Sequence, residues 1–311
     1  MNIRKIKSVV LSPIFSYYCR NMLKFKQINM YKFWILSVFF LFACTSHSQN
    51  KIASLPPALV ESSALIKHKC SFLSLNDSGN KAKILVFNKK GKIKHSCVLR
   101  NATNVDWEAM AYDGKEFLYI GDIGNNENKR KDLVVYKVRI DEVLNNKSVE
   151  AEKISFHYPE QSNFPPEEAQ LYYDAEAMVV KENVLGESEL LIFTKNRTVP
   201  FDGISKIYSL PLVPGEYEAK LLTNLHLPAT NWREESITDA AFYNQDELYI
   251  LTYAKLYMYK YENEKWVQKK EYLHDSWTQK EGIAVDKKHI YLTDENESGI
   301  FTSNYLYKLK K

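Results

Sequence analysis

The sequence predicts an all-β fold, a β-propeller of five four-stranded blades, on three observations. First, helical periodicity is nearly absent, whereas short apolar strands separated by polar turns run the length of the chain. Its 21 Tyr and 15 Phe suit the pleated surfaces on which aromatic side chains pack. Second, one pattern recurs five times: a small polar or acidic residue, an apolar strand, a polar turn, a second strand of the type "LYI" or "IYL", and a polar loop. Third, the last repeat runs out of chain after its third strand, and "KIASL" (51–55) supplies the missing fourth by pairing the two ends, which closes the ring. A six-bladed ring with one degenerate blade is the alternative.

The first 43 residues carry seven cations and no acid. Within them "MYKFWILSVFFLFAC", from Met30, has a basic start, an apolar run of about ten residues and a small residue before Cys44, as in a secretory signal. A membrane span needs about 20 apolar residues, so this run is too short. The ending Leu41-Phe42-Ala43-Cys44 resembles a bacterial lipoprotein signal, in which cleavage precedes the cysteine and its sulfur is lipidated. Met30 is read as the working start, 1–43 as the signal region, 44–50 as a polar tether and 51–311 as one propeller domain. An uncleaved amphipathic anchor is the other reading of the signal. The expected product is a monomer exported to the cell envelope, on the periplasmic or outer-membrane face, and touching the membrane through its lipid anchor only. From Cys44 onward 35 basic residues stand against 38 acidic ones, which removes the electrostatic argument for a nucleic-acid partner. Cys70 and Cys97 are expected as buried thiols on non-neighbouring strands about 10 Å apart, too far for a bridge.

The five repeats open at "ESSALIKHKCSFLSLNDSGNK" (61–81), "DWEAMAYDGKEFLYIGDIGNN" (106–126), "DAEAMVVKENVLGESELLIFTKNRT" (174–198), "SITDAAFYNQDELYILTYAK" (236–255) and "QKEGIAVDKKHIYLTDENESG" (279–299). A third alternating strand follows in each: "ILVFN", "LVVYKV", "KIYSL", "LYMYKY" and "YLYKL". A fourth follows in the first four: "IKHSCVL", "EKISFHY", "YEAKLLT" and "KWVQKKEYL". The starting residues Ser63, Glu108, Glu176, Thr238 and Glu281 are spaced by 45, 68, 62 and 43 positions, against about 40 to 45 for a compact blade. The surplus in blades 2 and 3 is expected in loops, one of them the Pro- and acid-rich stretch 158–176.

In an up-and-down blade the innermost strand begins near the axis, so these five residues are expected to form a ring. Glu61 competes with Ser63 for the position in blade 1. Three carboxylates and two hydroxyls around one point repel unless a cation joins them. Oxygen donors at flexible geometry suit Ca²⁺, which takes 6 to 8 oxygens, better than Mg²⁺; zinc spacings of His and Cys are absent. Strand capping or simple exposure to solvent is the competing explanation for the acids.

"NDSG", "DWEAMA", "GDIGNN", "DAEAM" and "KEGIAV" together resemble an uncharacterised group of bacterial secreted propeller lipoproteins, over nearly all of 55–311. More distantly, the order hydroxyl, Glu, Glu, hydroxyl, Glu resembles calcium-activated apyrases, five-bladed propellers that hydrolyse nucleoside di- and triphosphates with one axial Ca²⁺. Phytase-like and esterase-like propellers share such Glu-led strands. The resemblance implies metal-binding roles for Ser63, Glu108, Glu176, Thr238 and Glu281, and leaves the substrate open.

The same face is expected to gather Trp107, Trp232 and Trp277, either stacking a ligand or packing the channel mouth, and the cations Arg130, Lys195, Arg197, Arg233 and Lys280, suited to phosphate. Asp294, Asn296, Ser298 and Gly299 fit half of a calcium loop, but Tyr305 stands where Glu is needed; a Gly-bearing turn is favoured. Asp77 and Asp122 hold the matching place in blades 1 and 2. No nucleophile elbow, phosphate-binding glycine loop or catalytic cysteine is present. The leading expectation is a Ca²⁺-dependent hydrolase of a phosphorylated or ester substrate, with Asp122 or Glu176 taking the proton. A non-catalytic module that holds a small molecule, glycan or protein at this face is the alternative.

Overall fold

Each repeat becomes one antiparallel sheet, and five sheets stand round a common axis. The computed structural model describes residues 49–182, 186–263, 265–274, 278–296 and 304–311; the expected signal region, Met30 and Cys44 lie outside them. Blade 1 holds Ser62–His68, Ser71–Asn76, Lys83–Asn88 and Ile93–Leu99, from the axis outward. Blade 2 holds Trp107–Tyr112, Phe117–Asp122, Val134–Arg139 and Glu152–His157, and blade 3 holds Asp174–Glu182, Ser188–Lys195, Ile204–Pro211 and Lys220–His226. Blade 4 is built from Ile237–Tyr243, Glu247–Thr252, Lys255–Glu262 and Lys265–Leu273. Blade 5 takes Gln279–Val285, His289–Glu295 and Tyr305–Lys310 from the end of the chain and Asn50–Ser54 from its beginning. Asn50 faces Lys308 and Ser54 faces Tyr305 in that antiparallel pair, so the ring closes as expected, with five blades.

The surplus residues of blades 2 and 3 are only partly loop. Ser148–Val149, ahead of the outer strand of blade 2, pairs in parallel with Val98 and Leu99 on the outer edge of blade 1. Gly215–Glu218 likewise leaves blade 3 and pairs in parallel with Ile154–His157 of blade 2. The stretch expected as one strand, "YEAKLLT", is therefore divided between two blades. An outer strand presents unpaired backbone N–H and C=O groups, and these short segments satisfy part of two such edges while tying neighbouring blades together.

Alternation along the strands sends one apolar set into each gap between blades. Leu73, Ile84, Trp107 and Met110 fill the gap between blades 1 and 2; Tyr119, Ile154, Met178 and Tyr208 the next; Phe193, Ile250 and Tyr257 the third. Tyr249, Leu292 and Tyr307 fill the fourth, and Leu65, Phe87, Tyr291 and Leu306 join blade 5 to blade 1. Tyr is abundant because its ring covers much apolar area while its hydroxyl reaches a polar edge: the Tyr257 hydroxyl meets Glu235, and that of Tyr307 meets Asp294 at 2.8 Å. No disulfide forms. Cys97 is buried as expected, whereas Cys70, in the turn after the first strand of blade 1, is exposed. Among the described residues no helix is long and apolar enough to cross a membrane.

Candidate functional site

All five innermost strands carry the same irregularity at the same place. Their ladders slip by one residue between Ser62 and Ala64, Trp107 and Ala109, Ala175 and Ala177, Ile237 and Asp239, and Lys280 and Gly282. The residues passed over are Ser63, Glu108, Glu176, Thr238 and Glu281. A bulge inserts one unpaired residue and re-aims its side chain, so the repeat position read from the sequence is a five-fold series of bulges. All five residues are buried.

These groups are not equivalent. Ser63 Oγ donates to the Glu61 carbonyl at 3.1 Å, and Thr238 Oγ1 donates to the Lys280 carbonyl at 2.6 Å; both hydroxyl protons serve the backbone. Glu176 is neutralised from two sides, by the buried Lys195 ammonium and by Arg197 at 3.4 Å. Burial still pushes its carboxyl up to about 8, against the pull of Lys195. Lys195 also donates to the Tyr253 hydroxyl at 2.8 Å, and Arg197 is held by Asp174 at 2.7 Å.

Glu108 has different company. Ligand oxygens of Asp77, Asp106 and Glu108 all lie within 4.8 Å of one another. Burial, followed by the charges of Glu176 and Asp77, raises the Glu108 carboxyl well above its ordinary range. Asp106, only partly buried, is pushed up to about 7 by burial and by Asp77 and Asp174. Gly124 makes this convergence possible: a Cβ there would stand 2.4 Å from Asp106 Oδ2 and 2.8 Å from Glu108 Cγ. The second Gly of "GDIGNN" thus leaves room for two carboxylate side chains. On the other side of the axis the Glu281 and Glu295 carboxyls are in hydrogen-bonding contact, and burial with the Glu281 charge pushes Glu295 up to about 12. Gln279 Nε2 donates to Glu295 at 3.1 Å, while among the described residues the buried Oε1 of Glu295 has no N–H or hydroxyl donor. Two carboxyls in contact need a proton or a cation between them.

The donor set fits a hard divalent cation. Calcium–oxygen distances of about 2.3 to 2.6 Å place ligand oxygens on one ion no more than about 5 Å apart, and the Asp77, Asp106 and Glu108 oxygens meet that limit. The acids in excess of Lys195 and Arg197 supply the charge such an ion requires.

The remaining sequence-predicted residues divide. Asp122 is buried and accepts from the backbone N–H of Asp106 at 3.0 Å and of Val105 at 3.3 Å, while Arg130 pairs with it at 2.8 Å. Both are occupied in fixing the turn that presents Asp106. Trp107 is fully buried between blades 1 and 2, with its indole N–H on the Thr103 carbonyl at 3.0 Å, so packing is its role. Lys280 is equally buried, its ammonium 2.7 Å from Asp294. Asp294 also accepts from Thr278 at 2.6 Å and from Tyr307, an internal clasp rather than half of a calcium loop; Ser298 and Gly299 lie outside the described residues. Both Trp107 and Lys280 are buried, with their polar groups turned to Thr103 and Asp294. Trp232 and Arg233 are exposed on the short helix Trp232–Glu235, the guanidinium 5.5 Å over the indole. Trp277 lies outside the described residues. Asp106 and Glu295 went unassigned in the sequence because each adjoins a more conspicuous residue, Trp107 or Asp294.

No protein-family model matches the chain, and no curated protein matches it. Solved structures of similar fold include the PQQ-bound aldose sugar dehydrogenase of Streptomyces coelicolor, at 10% identity over 85% of this chain and 98% of that one, with a TM-score of 0.48. Another is the glutaminyl cyclase of Myxococcus xanthus, at 12% identity over 84% of this chain and 96% of that one, with a TM-score of 0.48. Neither likeness bears on the chemistry of this chain.

Proposed function

We propose that the protein is an exported, lipid-anchored, calcium-centred propeller that hydrolyses a phosphorylated or ester substrate at the axial carboxylates. The observation that carries the reading is the meeting of Asp77, Asp106 and Glu108 within 4.8 Å, with no cation among the described residues paired with Glu108. Bound there, Ca²⁺ supplies charge neutralisation and polarises a substrate oxygen. The chain contributes the oxygen ligands and, through Arg197, a partly exposed guanidinium beside Glu176 that suits an anionic group. Lys195 stays within the wall, paired with Glu176.

A second reading is favoured by a specific observation. Asp122 and Glu176, the acids expected to accept a proton, are both held in ion pairs, which suits a module that binds its ligand without turning it over. One experiment separates the two. Residues 45–311 are incubated with nucleotides, phytate and chromogenic esters, with Ca²⁺ or with chelator. Calcium-dependent turnover lost in Glu108→Gln supports the hydrolase. Calcium binding without turnover supports the binding module, and no rise in melting temperature with millimolar Ca²⁺ rejects the metal centre altogether.

A further inference from the structure

The end of the ring remote from the carboxylates carries its own charge pattern. In each blade the turn between the first and second strands, and that between the third and fourth, lies at that end. Lys270, Lys287, Lys288, Lys308, Lys310 and Lys311 line an open groove there of about 830 Å³, with no acid in its wall. Of these, Lys311 is paired with Glu247; the other five have no acidic partner among the described residues. His289 and Lys308 also border a second hollow, lined by Lys67, Lys69, Lys89 and Lys90; Lys67 there is paired with Asp286 at 3.3 Å. The patch gathers on blades 4, 5 and 1, although the turns of blade 4 also carry Asp246 and Glu262, and at the same end of blade 2 Lys115 shares its turn with Asp113 and Glu116. The domain as a whole is slightly acidic from Cys44 onward, so the concentration of lysine on one side is not a product of composition.

Asn50, the first residue of the ring-closing strand, lines the same groove. The chain before it therefore enters the propeller on the basic patch. Between the apolar run ending at Ala43 and Asn50 lie Cys44 and five further residues, which span at most about 20 Å when fully extended. A lipid on Cys44, as in the anchored reading, brings the lysines within about two and a half Debye lengths of the headgroups at physiological salt.

We propose that this lysine-lined face docks electrostatically on an anionic lipid bilayer, so that the propeller sits with its axial carboxylates turned away from the membrane. The orientation rests on the exported, anchored reading given above, but the affinity of the face for anionic lipid does not need the anchor. The surface potential of an anionic leaflet attracts clustered lysines additively and fades with added salt.

Residues 45–311, which contain all five blades and the strand that closes them, test this without lipidation. Co-sedimentation is measured with vesicles of phosphatidylcholine alone and with 30 mol% phosphatidylglycerol, at low and high salt. Binding is expected only to the anionic vesicles, and to be lost at about 0.5 M NaCl. Lys287→Gln with Lys288→Gln should weaken it about 30-fold, at roughly fivefold per lysine. Lys81→Gln with Lys131→Gln, exposed lysines in loops between second and third strands at the opposite end, should leave it unchanged. Equal binding to both vesicle types, or equal losses from the two double variants, overturns the proposal. Binding to polyphosphate or duplex DNA as tight as to anionic vesicles overturns the lipid assignment. A protein that binds these vesicles yet carries no lipid on Cys44 in its native envelope would leave the docking face standing and remove only the anchor.

Discussion

Replacing Asp106 by Asn should make the metal-free protein more stable, in a way that grows with pH. Burial and the neighbouring acids lift the Asp106 carboxyl from 3.8 to about 7, so the folded chain holds a proton that the unfolded chain releases. The stability associated with this group is complete below about pH 3.8 and is lost as pH rises through about 7. At about 1.4 kcal/mol per pH unit, ionised Asp106 costs about 4 kcal/mol at pH 8 and under about 2 kcal/mol at pH 5. Partial exposure screens the charge, which trims the expected gain from Asp106→Asn to about 2 to 3 kcal/mol at pH 8 and about 1 kcal/mol at pH 5. In a domain of this size that is a rise in melting temperature of roughly 4 to 10 °C at pH 8. The assay is denaturant unfolding in chelator at both pH values, repeated with Ca²⁺. The calcium increment should shrink in the variant, because one oxygen ligand has lost its charge. Equal destabilisation at pH 5 and pH 8, with the calcium increment intact, refutes the reasoning: Asp106 would then be an ordinary structural acid.

Three further outcomes are expected. Gly124→Ala places a methyl against Asp106 and Glu108; thermal unfolding should show a loss of about 1 to 3 kcal/mol, with calcium affinity reduced in a titration. Lys195→Met strips the buried ammonium from Glu176 and should cost about 2 to 4 kcal/mol by urea unfolding, most at alkaline pH, and adding Glu176→Leu should recover part of it, a coupling that a double-mutant cycle reads directly. In residues 45–311 a thiol reagent should label the exposed Cys70 at once, whereas Cys97, buried and pushed up to about 11 by burial, should react only after unfolding; rapid labelling of both would contradict the packing between blades 1 and 2.

Much of this architecture was legible because it repeats. Five Glu-, Ser- or Thr-led strands, five second strands and a truncated last unit determine blade number and closure, and Asn50–Ser54 pairs with Tyr305–Lys310 as the truncation requires. The ring position was legible for the same reason, although nothing in one strand reveals a bulge; only its recurrence at Ser63, Glu108, Glu176, Thr238 and Glu281 does. What the repeat could not convey was the difference between blades. Lys195 and Lys280 both flank a predicted ring position or strand end, yet one meets Glu176 on the axis and the other is enclosed with Asp294 inside blade 5. Strand alternation tells which face a side chain takes, but partner choice depends on contacts between distant segments. The same limit hid the two short parallel segments, whose partners lie in the preceding blade.

The closing pair joins the first strand of the domain to its last. Sequence separation of this kind makes for slow assembly, because the entropy of closing the loop is met before the contact forms. As the chain emerges during synthesis, the ring stays open until the final strand has appeared. Blades 1 to 4 have their four-stranded sheets complete by then, while the gap that Leu65, Phe87 and Leu306 will fill waits for the two termini to meet. A chain truncated at either end should therefore persist as an open arc with an apolar seam exposed, which makes the pairing of the two termini the quality mark of a finished molecule.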